Sequence, residues 1–231
     1  RGDDALAASY YERLVEMNQG TAAVLGELGS IYERMGRWSE MLSVYEKRLE
    51  GVRGSPEEVD VLGLMGQLYA DSLAKPVQAV DAFEAMLELD PGRRDALQGL
   101  QAIAEAAEDW EALVEYVGAE ASLVEEPIEH AALQVRLGQL HSQLGDELTA
   151  LGHYATALNK NPGDERADAA LWVQLDGPHG QAVAELIVPH LREKDDFERL
   201  ASALDRQAQL GDDSFETAEL WLELAEVRRD H

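Results

Sequence analysis

The six histidines, His130, His141, His153, His179, His190 and His231, are the residues of this 231-residue chain best suited to metal or proton chemistry. None has a second histidine four residues on. HExxH, which would put two ligands on one helical face, does not occur. His141 and His153 can fall on adjoining helices, but both stand at places in an internal repeat that an aromatic or small residue otherwise fills. Cysteine is absent, which excludes a disulfide framework, a thiolate zinc site and a Cys nucleophile. There is no GxSxG elbow, no GxxxxGK[ST] and no GxGxxG after a strand. GELGS at Gly26–Ser30 is mid-helix and structural. The 46 acidic residues make neighbouring carboxylates common by chance. Arg1-Gly2-Asp3 spells an adhesion tripeptide and reads as chance. The expectation is a non-catalytic chain with no cofactor and no metal.

Charge points to partners. The 46 acidic against 19 basic residues give a formal net charge of −27. A nucleic-acid binder needs a basic footprint to release counterions, and Lys/Arg cluster only in pairs such as Arg93-Arg94. Nucleic acid and anionic membrane are therefore disfavoured. Long-range attraction favours basic peptides, basic proteins or cations, although the same acid could serve only to keep the chain soluble. No run approaches the ~20 apolar residues of a membrane span, so direct insertion is not expected. The compartment, cytoplasmic or periplasmic, carries no mark.

The elements that must position any site are helices throughout. Apolar residues recur at three- and four-residue spacing, as in Leu25, Leu28, Ile31, Tyr32 and in Leu42, Tyr45, Leu49. Breaks carry helix-stop or helix-start chemistry: Gly36, Gly54-Ser55-Pro56, Pro91-Gly92, Gly145-Asp146, Pro162-Gly163-Asp164, Gly177-Pro178 and Gly211-Asp212-Asp213. Ser55-Pro56-Glu57-Glu58 predicts a Ser N-cap closed into a capping box by Glu58. The pattern predicts thirteen helices, at about 3–17, 20–35, 37–50, 56–73, 76–90, 92–107, 109–123, 127–144, 146–160, 164–175, 179–193, 196–210 and 214–230. Short connections force successive helices to pack antiparallel. The four tryptophans, Trp38, Trp110, Trp172 and Trp221, fall at helical core positions.

The chain repeats itself. AVDAFEAMLELDPG at Ala79–Gly92 matches ALGHYATALNKNPG at Ala150–Gly163 at an offset of 71, and Ala7–Gly20 is an earlier copy at 72. RWSEML at Arg37–Leu42 matches DWEALV at Asp109–Val114, and then DFERLA at Asp196–Ala201. LMGQLY at Leu64–Tyr69 matches RLGQLH at Arg136–His141, and then ELAEVR at Glu223–Arg228. In these last two series the first step is 72 residues and the second is 87. The added length predicts one short extra helix around 164–178. A period of two helix pairs, about 36 residues each, signals a helical solenoid.

With these motifs the sequence resembles a tetratricopeptide repeat array over essentially its whole length, most of all the degenerate arrays of large bacterial repeat proteins. The best unit is Leu25, Leu28, Gly29, Tyr32, Gly36, Met41, Tyr45, Leu49. Next is Leu137, Gly138, His141, Gly145, Ala150, Tyr154, Ala157, Pro162. Departures are Gln101 for the Gly, Ala104 for the Tyr, and Pro189 inside a helix, where a kink is expected. The resemblance implies an all-α, right-handed superhelix in a single domain, 1–231, a fragment of a longer array. Gly29, Gly66 and Gly138, with Ala225 in the fourth copy, would admit close helix approach, and Tyr11, Tyr45, Phe83 and Tyr154 would fill the layers.

It also implies a protein-interaction scaffold with a concave groove lined by the first helix of each pair. The family's groove positions fall on Ser30 and Glu33; Asp60, Gln67 and Asp71; Gln98 and Glu105; Gln139 and Ser142; and Glu219 and Glu226. This acidic, amide-bearing set suits a basic peptide segment of a partner protein. The clamp for a C-terminal carboxylate found in some relatives is absent, since Gly26, Ser30 and Leu64 stand in its places. Alternatives are a passive spacer within a larger protein and, more remotely, a metal-binding or enzymatic domain. Raw apolar ends predict self-association.

Overall fold

The computed structural model describes residues 2–17, 19–211 and 215–230. Arg1 of the adhesion-like tripeptide, Asp212 and Asp213 of one predicted break, and His231 lie outside the described residues. Among these residues the chain is all-α, with thirteen α-helices and no strand. They are α1 (Gly2–Glu16), α2 (Ala22–Met35), α3 (Trp38–Val52), α4 (Glu57–Gln67), α5 (Pro76–Leu89), α6 (Arg94–Ala106), α7 (Trp110–Leu123), α8 (Pro127–Gln143), α9 (Glu147–Lys160), α10 (Glu165–Gln174), α11 (Gly180–Glu193), α12 (Phe197–Leu210) and α13 (Phe215–Asp230). The chain divides into two compact units, Arg1–Tyr116 and Val117–His231, each with its own core.

Within each unit the helices pair through one recurring turn. The residue that ends the first helix of a pair takes a left-handed backbone: Gly36 (φ 68°), Ala74 (φ 50°), Glu108 (φ 55°), Gly145 (φ 80°) and Asp195 (φ 53°). The next amide reaches back to close the turn, Arg37 N–H to Tyr32 O at 2.9 Å, Asp109 to Ala104 at 2.9 Å, Asp146 to His141 at 2.9 Å and Asp196 to Leu191 at 3.3 Å. This is the Schellman arrangement, which satisfies carbonyls the helix end leaves open. The second helix then starts on an Asp cap in three pairs: Asp109 accepts from Ala112 N–H, Asp146 from Thr149 N–H and Asp196 from Arg199 N–H.

The second pair departs from this pattern by one residue. α4 runs into a π-helical turn, Leu68–Ser72, and Lys75 N–H bonds to Tyr69 O at 2.9 Å, one residue wider than elsewhere. The step from Gly36 to Ala74 is 38 residues, against 34 and 37 for the next two. From Gly145 to Asp195 the step is 50. α10 lies inside that step and ends on no left-handed residue, with its cap at Leu175 in the right-handed region. It is the only helix between α9 and α11 and occupies the 164–178 stretch where an extra helix was expected.

Close packing follows the glycines. In unit 1 the Phe83 ring of α5 is wedged between Gly66 of α4 and Gly99 of α6. A Cβ on Gly66 would sit 2.7 Å from the ring, and one on Gly99 2.5 Å from it. In unit 2 the Tyr154 ring of α9 lies as close to Gly138 of α8, where a Cβ would fall 2.6 Å away. Gly29 is looser, with 3.7 Å between an added Cβ and Tyr45. Gly99 is a second glycine against the Phe83 ring, and the motif's own Gly place on α6 is held by Gln101. Gln101 is buried two positions on, and its side-chain amide donates to Tyr116 O at 3.4 Å.

Three further expectations change, and the helix continues at Pro189. Trp221 is 43% exposed and not core, whereas Trp38 and Trp172 pack on buried clusters. Ala225 is exposed, with none of the described helices packed over it. The capping box at α4 is shifted: Glu58 accepts from Gly54 N–H at 2.7 Å, and Glu58 N–H bonds to Ser55 O at 3.1 Å, leaving Ser55 Oγ buried without a partner. α11 runs through Pro189, whose ring faces solvent.

The wedge makes a direct prediction. Gly99→Ala should lower stability by about 1–3 kcal/mol through overpacking against Phe83. Gly26→Ala, where a Cβ meets nothing within 4 Å, should be neutral or gain up to ~1 kcal/mol of helix propensity. Urea-denaturation midpoints of the two variants, followed by circular dichroism, check the contrast.

Candidate functional site

The eleven predicted groove residues lie on the helices where the repeat places them. Ten are exposed, and Ser142 is half-buried. Seven fall in unit 1. Ser30 and Glu33 are on α2, where Ser30 Oγ donates back to Gly26 O at 3.1 Å. Asp60 and Gln67 are on α4 and Asp71 on the π-helical turn, with the Gln67 side chain donating to the Asp71 carboxylate. Gln98 and Glu105 are on α6.

A cleft of about 380 Å³ brings part of this set together. It is lined by Asp60, Gly63, Leu64 and Gln67 of α4, Phe83 of α5, and Arg93 and Asp95 at the start of α6. Its floor is the wedge itself, and Leu64 stands 40% exposed within it. Arg93, which sequence reasoning missed as a groove residue, bonds Asp60 at 2.8 Å and Asp95 at 2.7 Å. Hydrogen bonds donated by Arg93 to these two carboxylates raise the guanidinium above its ordinary range, and Arg93 in turn holds Asp95 below the usual carboxylate range. Asp60 is thus a neutralised acid and not a bare one.

In unit 2, Gln139 and Ser142 are on α8 and Glu219 and Glu226 on α13. Ser142 Oγ donates to Glu147 at 3.1 Å across the α8–α9 turn, which ties it to the scaffold. Beside it His141 and His153 stack with ring centroids 5.1 Å apart, so these two do fall on adjoining helices. His153 Nδ1 lies 2.8 Å from Gln134 Oε1 and His141 Nδ1 3.6 Å from Asp146. Among the described residues no group of three His, Cys, Asp or Glu could hold a metal ion.

The larger cleft, about 600 Å³, opens between α11, α12 and α13. Glu185 and Arg192 reach it from α11, Gln207 from α12, and Glu216, Glu219 and Glu223 from α13. Arg192 binds Glu223 through two bonds of 2.8 and 2.6 Å, and Gln181 donates to Glu185 at 3.2 Å. Four carboxylates therefore face one guanidinium. Gln207 Oε1 is buried without a hydrogen-bond partner. Of this set the sequence singled out Glu219 alone. α11 carries none of the repeat motifs, so no signal placed Glu185 and Arg192 on the groove side.

One buried base stands apart from both clefts. His190 is 7% exposed on α11, with Nε2 unpartnered. Burial, then Lys194, lower its pKa below the ordinary imidazole value against the pull of Asp168 and Glu193. Protonation is thus easier in the unfolded chain, and stability is lost as pH falls below the unfolded imidazole value of about 6.5. His190→Leu should flatten the acid limb of the thermal midpoint between pH 8 and pH 5. An unchanged pH profile would show that His190 does not carry it.

The comparisons with known proteins come to the same architecture. Residues 24–59 match the tetratricopeptide repeat family model. The C-terminal part of a TPR repeat-containing protein from Cytophaga hutchinsonii is 11% identical, covers 94% of both chains and superimposes with a TM-score of 0.53. PilF of Pseudomonas aeruginosa is 16% identical over 100% of this chain and 87% of its own, at 0.41. YrrB, described as a TPR protein with an unusual peptide-binding site, is 17% identical over 73% of this chain and 84% of its own, at 0.48. No curated protein matches the chain. The fold is that of an all-α repeat array of the tetratricopeptide type.

Proposed function

We propose that the chain is a non-catalytic protein-interaction array whose acidic clefts hold a basic peptide segment of a partner protein. The observation that carries this reading is the α11–α13 cleft, where Glu185, Glu216, Glu219 and Glu223 face Arg192 alone. A Lys- or Arg-rich segment would replace weak solvent-screened interactions with charge-assisted hydrogen bonds. The α4–α6 cleft offers a different chemistry. Its two carboxylates, Asp60 and Asp95, share Arg93, and its exposed Leu64 favours an apolar side chain flanked by polar contacts. A peptide contacting either cleft would meet side chains carried mostly by helices, so most of the ordering cost falls on the ligand. Self-association through exposed apolar ends belongs to the same reading. Among the described residues no helix is long and apolar enough to cross a membrane.

Fluorescence anisotropy with labelled basic and acidic peptides tests this. Basic peptides should bind more tightly at low than at high salt. Glu216→Lys with Glu219→Lys should weaken them by about tenfold, or ~1.4 kcal/mol. Equal binding of acidic peptides, or indifference to the double reversal, would sink the reading.

A further inference from the structure

Pro189 interrupts the hydrogen-bond ladder of α11 without being buried. It has no N–H to give the carbonyl of Glu185, four residues back. Both residues border a third cleft, of about 360 Å³, between α9 and α11. These two helices are joined through α10 and not by a tight turn. Every residue of the lining belongs to unit 2.

The lining is apolar with acid on it. Leu158 of α9 is 2% exposed and Leu186 of α11 is 37% exposed, and the exposed rings of Pro162, just after α9, and Pro189 extend the apolar surface. Glu185 and Glu193 stand eight residues apart on α11 with Pro189 midway, and both are exposed. Among the described residues no Lys or Arg lines the cleft. One polar group of the lining is unmet. His190 is 7% exposed, and its Nε2 has no hydrogen-bond partner. Buried polar atoms are ordinarily paired, so this lining holds bond capacity that the chain does not use. The Glu185 carbonyl adds a second open acceptor.

Spacing selects the ligand. A helix returns to one face every four residues, a rise of about 6 Å. An extended chain returns to one face every two residues, about 6.6 Å on. Side chains at i, i+2 and i+4 of an extended segment therefore step along α11 nearly in register with Glu185, Pro189 and Glu193. An extended segment also keeps backbone N–H groups free for the Glu185 carbonyl, whereas a helix spends its own internally. Acid at both ends of this row favours cations at i and i+4, and the apolar surface between them favours an apolar side chain at i+2.

We propose that the α9–α11 cleft seats an extended peptide segment of the pattern cation–x–apolar–x–cation. The two cations meet Glu185 and Glu193. The apolar side chain lies on Leu186 and Pro189, and a backbone N–H of the segment donates to the Glu185 carbonyl. This rests on the protein-interaction reading above, but it names the sequence pattern of the partner and places the contact beside α9, away from α13.

Fluorescence anisotropy with a labelled GSKSLSKSG peptide tests this. Two labelled controls keep its composition and net charge. GSKLSSKSG turns the apolar residue to the opposite face, and GSKKLSSSG brings the cations together. The patterned peptide should bind about tenfold more tightly than either control. Leu186→Gln and Glu193→Lys, both at exposed positions, should each remove that advantage with unchanged circular dichroism. Leu186→Ala takes the place of Leu186→Gln should that variant lose helicity. Pro189→Ala restores an N–H to the Glu185 carbonyl, so it should raise the thermal midpoint and weaken the patterned peptide. Equal binding of the three peptides, an advantage that survives at Leu186 and Glu193, or a Pro189→Ala chain that binds the patterned peptide as tightly overturns the proposal. Glu216→Lys with Glu219→Lys should leave the advantage intact. Basic peptides that bind alike and are weakened by that double reversal alone uphold the α11–α13 reading and overturn this one. An advantage lost at Leu186 and Glu193 alone upholds this one and sinks the other.

Discussion

An aromatic ring laid on a glycine sets the spacing of the helices. Phe83 occupies the space that side chains on Gly66 and Gly99 would need, and Tyr154 does the same over Gly138. The ring must lie flat between backbones, so both flanking helices are fixed in rotation as well as in distance. That rotation decides which residues of the first helix face outward. Asp60, Gly63 and Gln67 stand at i, i+3 and i+7 on one face of α4, beside Gly66. The cleft therefore borders the same contact that spaces the helices.

Much of this could be read from residue order. Glycine, aromatic and Pro-Gly positions recur at a fixed interval, and their physical demands are local: no Cβ, a flat ring, a broken helix. The helix bounds and the exposed groove positions follow from them. Other features leave no local mark. Ala74, Glu108 and Asp195 adopt the left-handed backbone that glycine takes at Gly36 and Gly145, because the turn is imposed by the helices it joins. The π-helical turn at Leu68–Ser72 adds a residue without changing composition. Gly99 stands at a place the motif does not mark, and the ring of Phe83 identifies it. The pairing of Arg93 with Asp60 spans 33 residues, so a list of acidic groove positions could not foresee which would be neutralised.

The arginines shape the acidic surface by subtraction. Arg199 is stacked 4.3 Å over Trp172 and bound to Asp168 at 2.7 Å, linking α12 to α10. Arg166 grips Asp164, the buried N-cap of α10. Burial opposes the charge on Asp164, but the guanidinium and the amides of Arg166 and Ala167 outweigh it and hold the carboxyl below its usual range. Cations spent on such local fastenings leave most carboxylates to face solvent, and the surplus is a surface property, not a core one.

α10 breaks the rhythm of unit 2. The other hairpins advance by 34 to 38 residues from one left-handed turn to the next, but α10 stretches the step to 50 without adding a turn of that kind. A ligand with evenly spaced side chains can follow a periodic surface only while the period holds. At α10 the count slips by a single helix, and the surface before it and the surface after it fall out of phase. α8–α9 and α11–α12 therefore read as two short rulers with a gap between them, so a segment that fits one is mismatched to the other.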